Sequence, residues 1–201
     1  MSQMQPSQWL EWICSSKTLD ELRDNYDQWA SRYDADVSDV WSVVPTAGAT
    51  MLAQHTPNKQ HTVLDVGAGT GLAGVVLTSF GFQHLIGIDI SPSMLKQAEA
   101  KGVYQSLVCC TIGDSEFGKI EPVESMIATG VFAKTHAGPT ELTCLRAKLQ
   151  PGGVLVFTAR QSFLPVLQTT LEQPGWEQID AKVLPIYDDP MHLLAYRANA
   201  N

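Results

Sequence analysis

With 201 residues, 44% of them hydrophobic and 17% charged, the chain can bury one full core, which excludes a disordered polymer and leaves no room for two large domains. A net charge of −8 repels phosphate backbones and anionic lipid, so neither nucleic acid nor a membrane is expected as a partner. Four cysteines (Cys14, Cys109, Cys110, Cys144) show no metal-ligand spacing and read as cytosolic thiols; no metal site is expected, and no run approaches the ~18 apolar residues of a membrane span.

The first apolar stretch, Pro6 to Ser16, carries Trp9, Leu10, Trp12 and Ile13. Glu11 interrupts it and no basic region precedes it, so it does not read as a signal peptide, and a cytoplasmic location is expected. Thr18-Leu19-Asp20-Glu21 has the form of a capping box. The helix it opens places Leu22, Tyr26, Trp29, Ala30 and Tyr33 on one face. A third helix is expected from about Val44 to His55, with Pro45 tolerated in its first turn. Residues 1–60 are thus expected to form a helical lid on a core of residues 61–201, within one structural domain.

From residue 61 strand-like and helix-like segments alternate. Strands are expected near 62–66, 84–89, 105–110, 123–130, 153–159, 176–184 and 191–198, and helices near 70–80, 92–101, 139–149 and 161–173. Such alternation predicts an α/β fold, a seven-stranded and mostly parallel sheet with helices on both faces. The last two strands have no helix between them, so the last strand is expected to run antiparallel.

The sharpest signal is Val63-Leu64-Asp65-Val66-Gly67-Ala68-Gly69-Thr70-Gly71. A buried strand stops at three alternating glycines and a helix begins at about Leu72, while Asp89 ends the next apolar run. Two ligands compete for such a turn. Gly69-Thr70-Gly71-Leu72-Ala73-Gly74 formally matches the dinucleotide pattern, with Asp89 about 20 residues on, which would suit a nicotinamide oxidoreductase. That match starts too late, because counted from Gly67 its third position is Leu72. Asp65 would also repel a pyrophosphate and favours a cationic ammonium or sulfonium.

The stretch from Asp65 to Gly71 resembles motif I of the class I S-adenosylmethionine-dependent methyltransferases. Asp89 is similar to their ribose-binding acid, Gly113-Asp114-Ser115 to their adenine-contacting loop, and Leu149-Gln150-Pro151-Gly152-Gly153 to the start of their fifth strand. Tyr26-Asp27, Trp29-Ala30 and Tyr33-Asp34 resemble a helix that lids the cofactor in many small-molecule enzymes of this kind. A narrower likeness, to the Williams–Beuren-region methyltransferases, rests on Gly130-Val131-Phe132 and His136-Ala137-Gly138-Pro139.

The resemblance implies a Rossmann-like methyltransferase fold and S-adenosylmethionine as cofactor. Its contacts would come from Tyr26, Tyr33, Asp65, Gly67, Ala68, Gly69, Thr70, Gly71, Leu72, Asp89, Ile90, Met94, Asp114, Ser115 and Thr129. The residue types suit the ligand: Asp89 offers a bidentate acceptor to adenosine hydroxyls, Asp114 an acceptor to the adenine amine, Ile90 and Met94 an apolar face, and Asp65 or the Gly67 carbonyl a partner for the methionine amine.

Methyl transfer is an in-line displacement in which a protein mainly supplies proximity and orientation. An O or N nucleophile also has a proton to lose, and His136, following the fourth strand, is the candidate base; capping or solvating its loop is the equal alternative. Trp41 is a candidate for the acceptor pocket or equally for the core, and Arg160 for a clamp on a substrate carboxylate or equally for an exposed charge at a strand exit. His55, His61 and His84 read as surface residues, and His192 near Asp188 and Asp189 reads as a polar strand start. After the fourth strand there is neither an Asn/Asp-Pro-Pro-aromatic pattern nor a Pro-Cys pair, which leaves a small-molecule acceptor. A module that binds the cofactor without methyl transfer is the rival reading.

Overall fold

The computed structural model describes Trp9 and residues 12–38 and 42–199. Trp41, Leu10 and the start of the first apolar stretch lie outside the described residues. Helix α1 (Leu19–Trp29) opens at Thr18, whose Oγ1 accepts from Glu21 N at 3.1 Å. Glu21 reaches back to Lys17 N at 2.7 Å, one residue earlier than a strict capping box requires. The helix ends at Trp29, so Tyr33 does not continue its stripe but starts α2 (Tyr33–Val37). The break lets Asp36 accept from the Trp29 indole N–H at 3.0 Å and from Arg32 at 3.2 Å. Helix α3 (Val43–His55) follows.

The strands are β1 (Thr62–Val66), β2 (His84–Asp89), β3 (Ser106–Cys109), β4 (Val123–Phe132), β5 (Leu149–Arg160), β6 (Trp176–Leu184) and β7 (Met191–Ala198). They are interleaved with α4 (Leu72–Ser79), α5 (Pro92–Ala100), α6 (Ser115–Gly118), α7 (Pro139–Ala147) and α8 (Leu164–Leu171). The sheet order is β3-β2-β1-β4-β5-β7-β6. The first five strands in sequence pair in parallel, and β7 runs antiparallel to both β5 and β6, as expected for strands joined without a helix.

Side chains alternate between two apolar layers. Leu64, Val66, Leu155 and Phe157 pack with Leu142 and Leu145 of α7 and Leu167 of α8. Val63, Val154 and Val156 pack with Val44, Ala49 and Leu52 of α3 and Ala73 and Leu77 of α4. Helix α3 therefore belongs to a flank of the sheet. A third cluster, Ile13, Leu22, Trp29 and Val37, lies with α1 and α2 and joins the sheet region through Leu72 and Ile90. The three N-terminal helices thus have two different roles, one of covering and one of core packing. The same period of two puts Asp65 on the Val63 face, toward α4.

Candidate active site

The glycine turn follows β1 because the backbone must reverse over the end of a buried strand. Gly67, Gly69 and Gly71 all have positive φ (64°, 54° and 89°), which any side chain would strain. Gly67 also leaves no room for one, since a Cβ there would lie 2.5 Å from Val131 Cγ2. Asp89, the last residue of β2, stands beside the turn. Its Oδ2 accepts from Gly69 N at 2.8 Å and its Oδ1 from Ser91 N at 2.9 Å. A carboxylate has about four acceptor positions. Gly69 N and Ser91 N each take one, with the Ile90 N–H also close, and the acceptor capacity left suits the hydroxyls of a ribose. Burial pushes Asp89 up to about 6, with the Ser91 and Gly69 N–H groups holding it lower than burial alone would set it.

A cavity of about 930 Å³ opens over the carboxyl ends of the strands, near the upper end of the range for small-molecule sites. The structure brings Tyr26, Tyr33, Gly67, Gly69, Asp89, Ile90, Met94, Thr129 and His136 to its wall. Asp65, Ala68, Thr70 and Leu72 line an adjoining recess of about 40 Å³, which shares Tyr33, Gly67, Gly69 and Thr129 with the cavity. Gly71, Asp114 and Ser115 face neither space. Gly71 backs onto α5, where a Cβ would lie 3.2 Å from the Ala98 backbone. Asp114 caps α6, accepting from Thr111 N and Phe117 N at 2.8 Å each, and Ser115 opens that helix. Cys110, Thr111 and Ile112 form this part of the wall instead.

Asp65 is buried, and its Oδ2 accepts from Tyr104 Oη at 2.6 Å. Burial lifts its carboxyl to about 7 against the lowering effect of that bond. Tyr104 also explains the glycine that completes the apparent dinucleotide pattern. A Cβ on Gly74 would sit 2.3 Å from Tyr104 Oη, so Gly74 clears space for the tyrosine that holds Asp65. The recess beside Asp65 has room for one small group, and an acid with a hydroxyl partner there suits an ammonium rather than a phosphate.

His136 is tied to α1. Its Nε2 lies 2.9 Å from Tyr26 Oη and its Nδ1 3.1 Å from Thr135 Oγ1. Burial lowers His136 to about 4, below the ordinary histidine value and away from that of a base working near neutrality. The ring is therefore neutral at physiological pH. Three further ties hold α1 and α2 over the site, none of them visible from helical period. Arg23 Nε donates to Ile90 O at 3.2 Å. Asp27 Oδ1 accepts from Ser91 Oγ at 2.5 Å and Ser93 N at 3.0 Å. Asp34 accepts from Thr70 Oγ1 at 2.5 Å and from Lys101 Nζ at 2.8 Å. Trp29 is buried and also forms part of the cavity wall. Of the histidines read as surface groups, His55 is half-buried against Asp180 Oδ2 at 2.8 Å.

Comparison with known proteins agrees with this arrangement. The methyltransferase domain family matches residues 64–157, from β1 into β5. Methyltransferase-like protein 27 of Homo sapiens is 34% identical over 168 residues, 78% of this chain and 68% of that protein. The tRNA U34 carboxymethyltransferase of Shewanella baltica is 32% identical over 108 residues, 51% of this chain and 33% of that one. The crystal structure of Burkholderia thailandensis 1,6-didemethyltoxoflavin-N1-methyltransferase, with 1,6-didemethyltoxoflavin and S-adenosylhomocysteine bound, shares the fold. Its TM-score is 0.65 at 15% identity, over 99% of this chain and 92% of that one. A relative at such identity over most of both chains, a matching family domain, and an acid and glycine turn shaped for adenosine make one assignment: the chain belongs to the class I S-adenosylmethionine-dependent methyltransferases, and S-adenosylmethionine is its cofactor.

Proposed function

We propose that the chain methylates an O or N atom of a small-molecule metabolite. The observation that carries this reading is the covered cavity. Residues of α1 and α2 and the segment before them line it together with the strand ends, so an acceptor must fit beneath them. The acidic net charge also opposes a polyanionic acceptor such as RNA. Four free thiols support a cytoplasmic location.

S-adenosylmethionine supplies an already activated methyl group. The protein's part is to bind, orient and exclude water. Asp89 would hold the sugar, the glycine turn would admit the donor close to the backbone, and Ile90 and Met94 would offer apolar surface to the base, all of them on the cavity wall. Asp65 receives the amine in the recess. Both ring nitrogens of His136 are engaged, by Tyr26 and by Thr135, so it could reach an acceptor group only by exchanging one of these bonds; at about 4 it is a weak proton acceptor, suited more to positioning than to abstraction. The test is incubation with methyl-labelled donor and, in parallel, a metabolite extract and bulk tRNA. Label in the low-mass fraction supports the reading, and label in tRNA alone overturns it.

A further inference from the structure

Arg160 ends β5, at the same edge of the sheet where Asp89 ends β2. Strands β2, β1, β4 and β5 are successive neighbours, so the two side chains start roughly 14 Å apart at a spacing of about 4.8 Å per strand. A donor held by its sugar at Asp89 and by its methionine end over the β1 turn would occupy the near half of the cavity. Arg160 stands in the far half. Its guanidinium lies over the ring of Tyr187, 4.4 Å from the centroid, and both residues line the cavity. Stacking engages the flat face of the guanidinium and leaves its edge N–H donors free to meet a planar acceptor.

Among the described residues, those donors have no hydrogen-bond or ion-pair partner. The acids around the cavity are otherwise engaged. Asp36 is held by Trp29 and Arg32, and Glu141 Oε2 accepts from Gly138 N at 2.8 Å. Asp189, on the Tyr187 loop, feels the charge of Arg160 from beyond ion-pair distance, and its oxygens accept from Ser162 N at 3.1 Å and Ser162 Oγ at 2.6 Å. The Tyr187 hydroxyl is itself buried without a partner, an orphan that disfavours the protein as it stands. An unpaired fork and an orphan hydroxyl, side by side on a largely apolar wall, are what a carboxylate would satisfy.

We propose that the methyl acceptor is a small, apolar-bodied carboxylic acid whose carboxylate docks on Arg160 beside Tyr187, leaving its O or N nucleophile toward the donor. One guanidinium and one hydroxyl suit a singly charged planar group better than a phosphate dianion. Ion pairing makes this carboxylate the handle and not the methylated group. The inference rests on the methyl-transfer reading above.

The test uses protein saturated with S-adenosylhomocysteine and ligand-observed NMR. The probes are carboxylic acids with aryl, indolyl and short alkyl bodies, each paired with its primary amide and its phosphate monoester counterpart. Acids should bind while their amides and phosphates do not. Arg160→Met should weaken acid binding by about ten- to a hundredfold, the loss of a charged hydrogen-bonding partner. Arg160→Lys should restore only part of it, and calorimetry should give unchanged S-adenosylhomocysteine affinity in both variants. Amides or phosphates binding as well as acids, no acid binding at all, or weaker S-adenosylhomocysteine binding in Arg160→Met would overturn the assignment, the last by giving Arg160 to the cofactor's own carboxylate. Acids that bind through Arg160 yet take up no label in the presence of donor would sustain this site and count against the methyl-transfer reading alone.

Discussion

Asp89→Asn isolates the sugar contact with the least disturbance of shape. In the native protein each carboxylate oxygen takes one backbone N–H, from Gly69 and from Ser91, and keeps a position for one ribose hydroxyl. The amide has a single oxygen. Whichever way it turns, its NH2 faces one of the two backbone donors, and no charge remains. Both ribose bonds lose their ionic partner, at about 1.5–3 kcal/mol each. The sum is about 3–6 kcal/mol, a predicted loss of roughly 10² to 10⁴ in S-adenosylhomocysteine affinity. Titration calorimetry at pH 7.5 measures it, and circular-dichroism melting checks that the variant folds. A folded variant binding within tenfold of wild type would refute the reasoning, because Asp89 would then be only a brace for the turn.

The same carboxylate sets a pH dependence. It binds hydroxyls best when ionised and titrates at about 6 in the free protein, so affinity is predicted to fall as pH drops through 6, and Asp89→Asn should flatten that limb. A flat wild-type profile from pH 5 to 8 contradicts this. Asp65 bears on stability. Its folded value of about 7 lies above its unfolded value of 3.8, so the stability of the neutral form is full below 3.8 and is lost as pH rises through 7. Asp65→Asn should make the melting temperature less dependent on pH across that window, and an unchanged slope rules this out. Gly74→Ala drives a methyl group into Tyr104 and is predicted to destabilise by about 1–3 kcal/mol, the usual range for overpacking, as measured by urea unfolding. A neutral result would mean that Tyr104 has another place to go.

The sheet was legible in sequence because its central strands are buried on both faces. They appear as apolar runs cut off by Gly, Pro and polar breaks, and β1, β2 and β7 fall on their expected limits; the exposed edge strand β6 does so too, between the Pro174-Gly175 turn and Pro185. Strand β5 starts earlier than expected, at Leu149, because that residue pairs with Val123 ahead of a register shift. The glycine turn and Asp89 could be read because their chemistry is local. Asp114 could not be placed that way, since an acid that caps a short helix has the same neighbours in sequence as one that faces a ligand. Tyr104 was invisible as the partner of Asp65, being 39 residues away. Arg160 could be suspected, but only the cavity shows that its donors are free.

The ties of the lid converge on the same edge that binds the donor. Asp34 bonds the turn at Thr70, Arg23 and Asp27 bond the end of β2, and Tyr26 bonds His136 beyond β4. Swinging α1 and α2 away from the strand ends would therefore break these bonds. The Tyr26–His136 bond is the one that spans the cavity from lid to far lip, so it should couple lid closure to catalysis. Tyr26→Phe and His136→Ala each remove that bond, worth about 0.5–1.5 kcal/mol, and each is predicted to slow single-turnover methyl transfer by about two- to tenfold. If the bond is what the two residues share, the double variant is no slower than the slower single one. If instead His136 acts on the acceptor independently of Tyr26, the two losses multiply. Additive effects would separate the imidazole from the lid and return it to the role of an independent base.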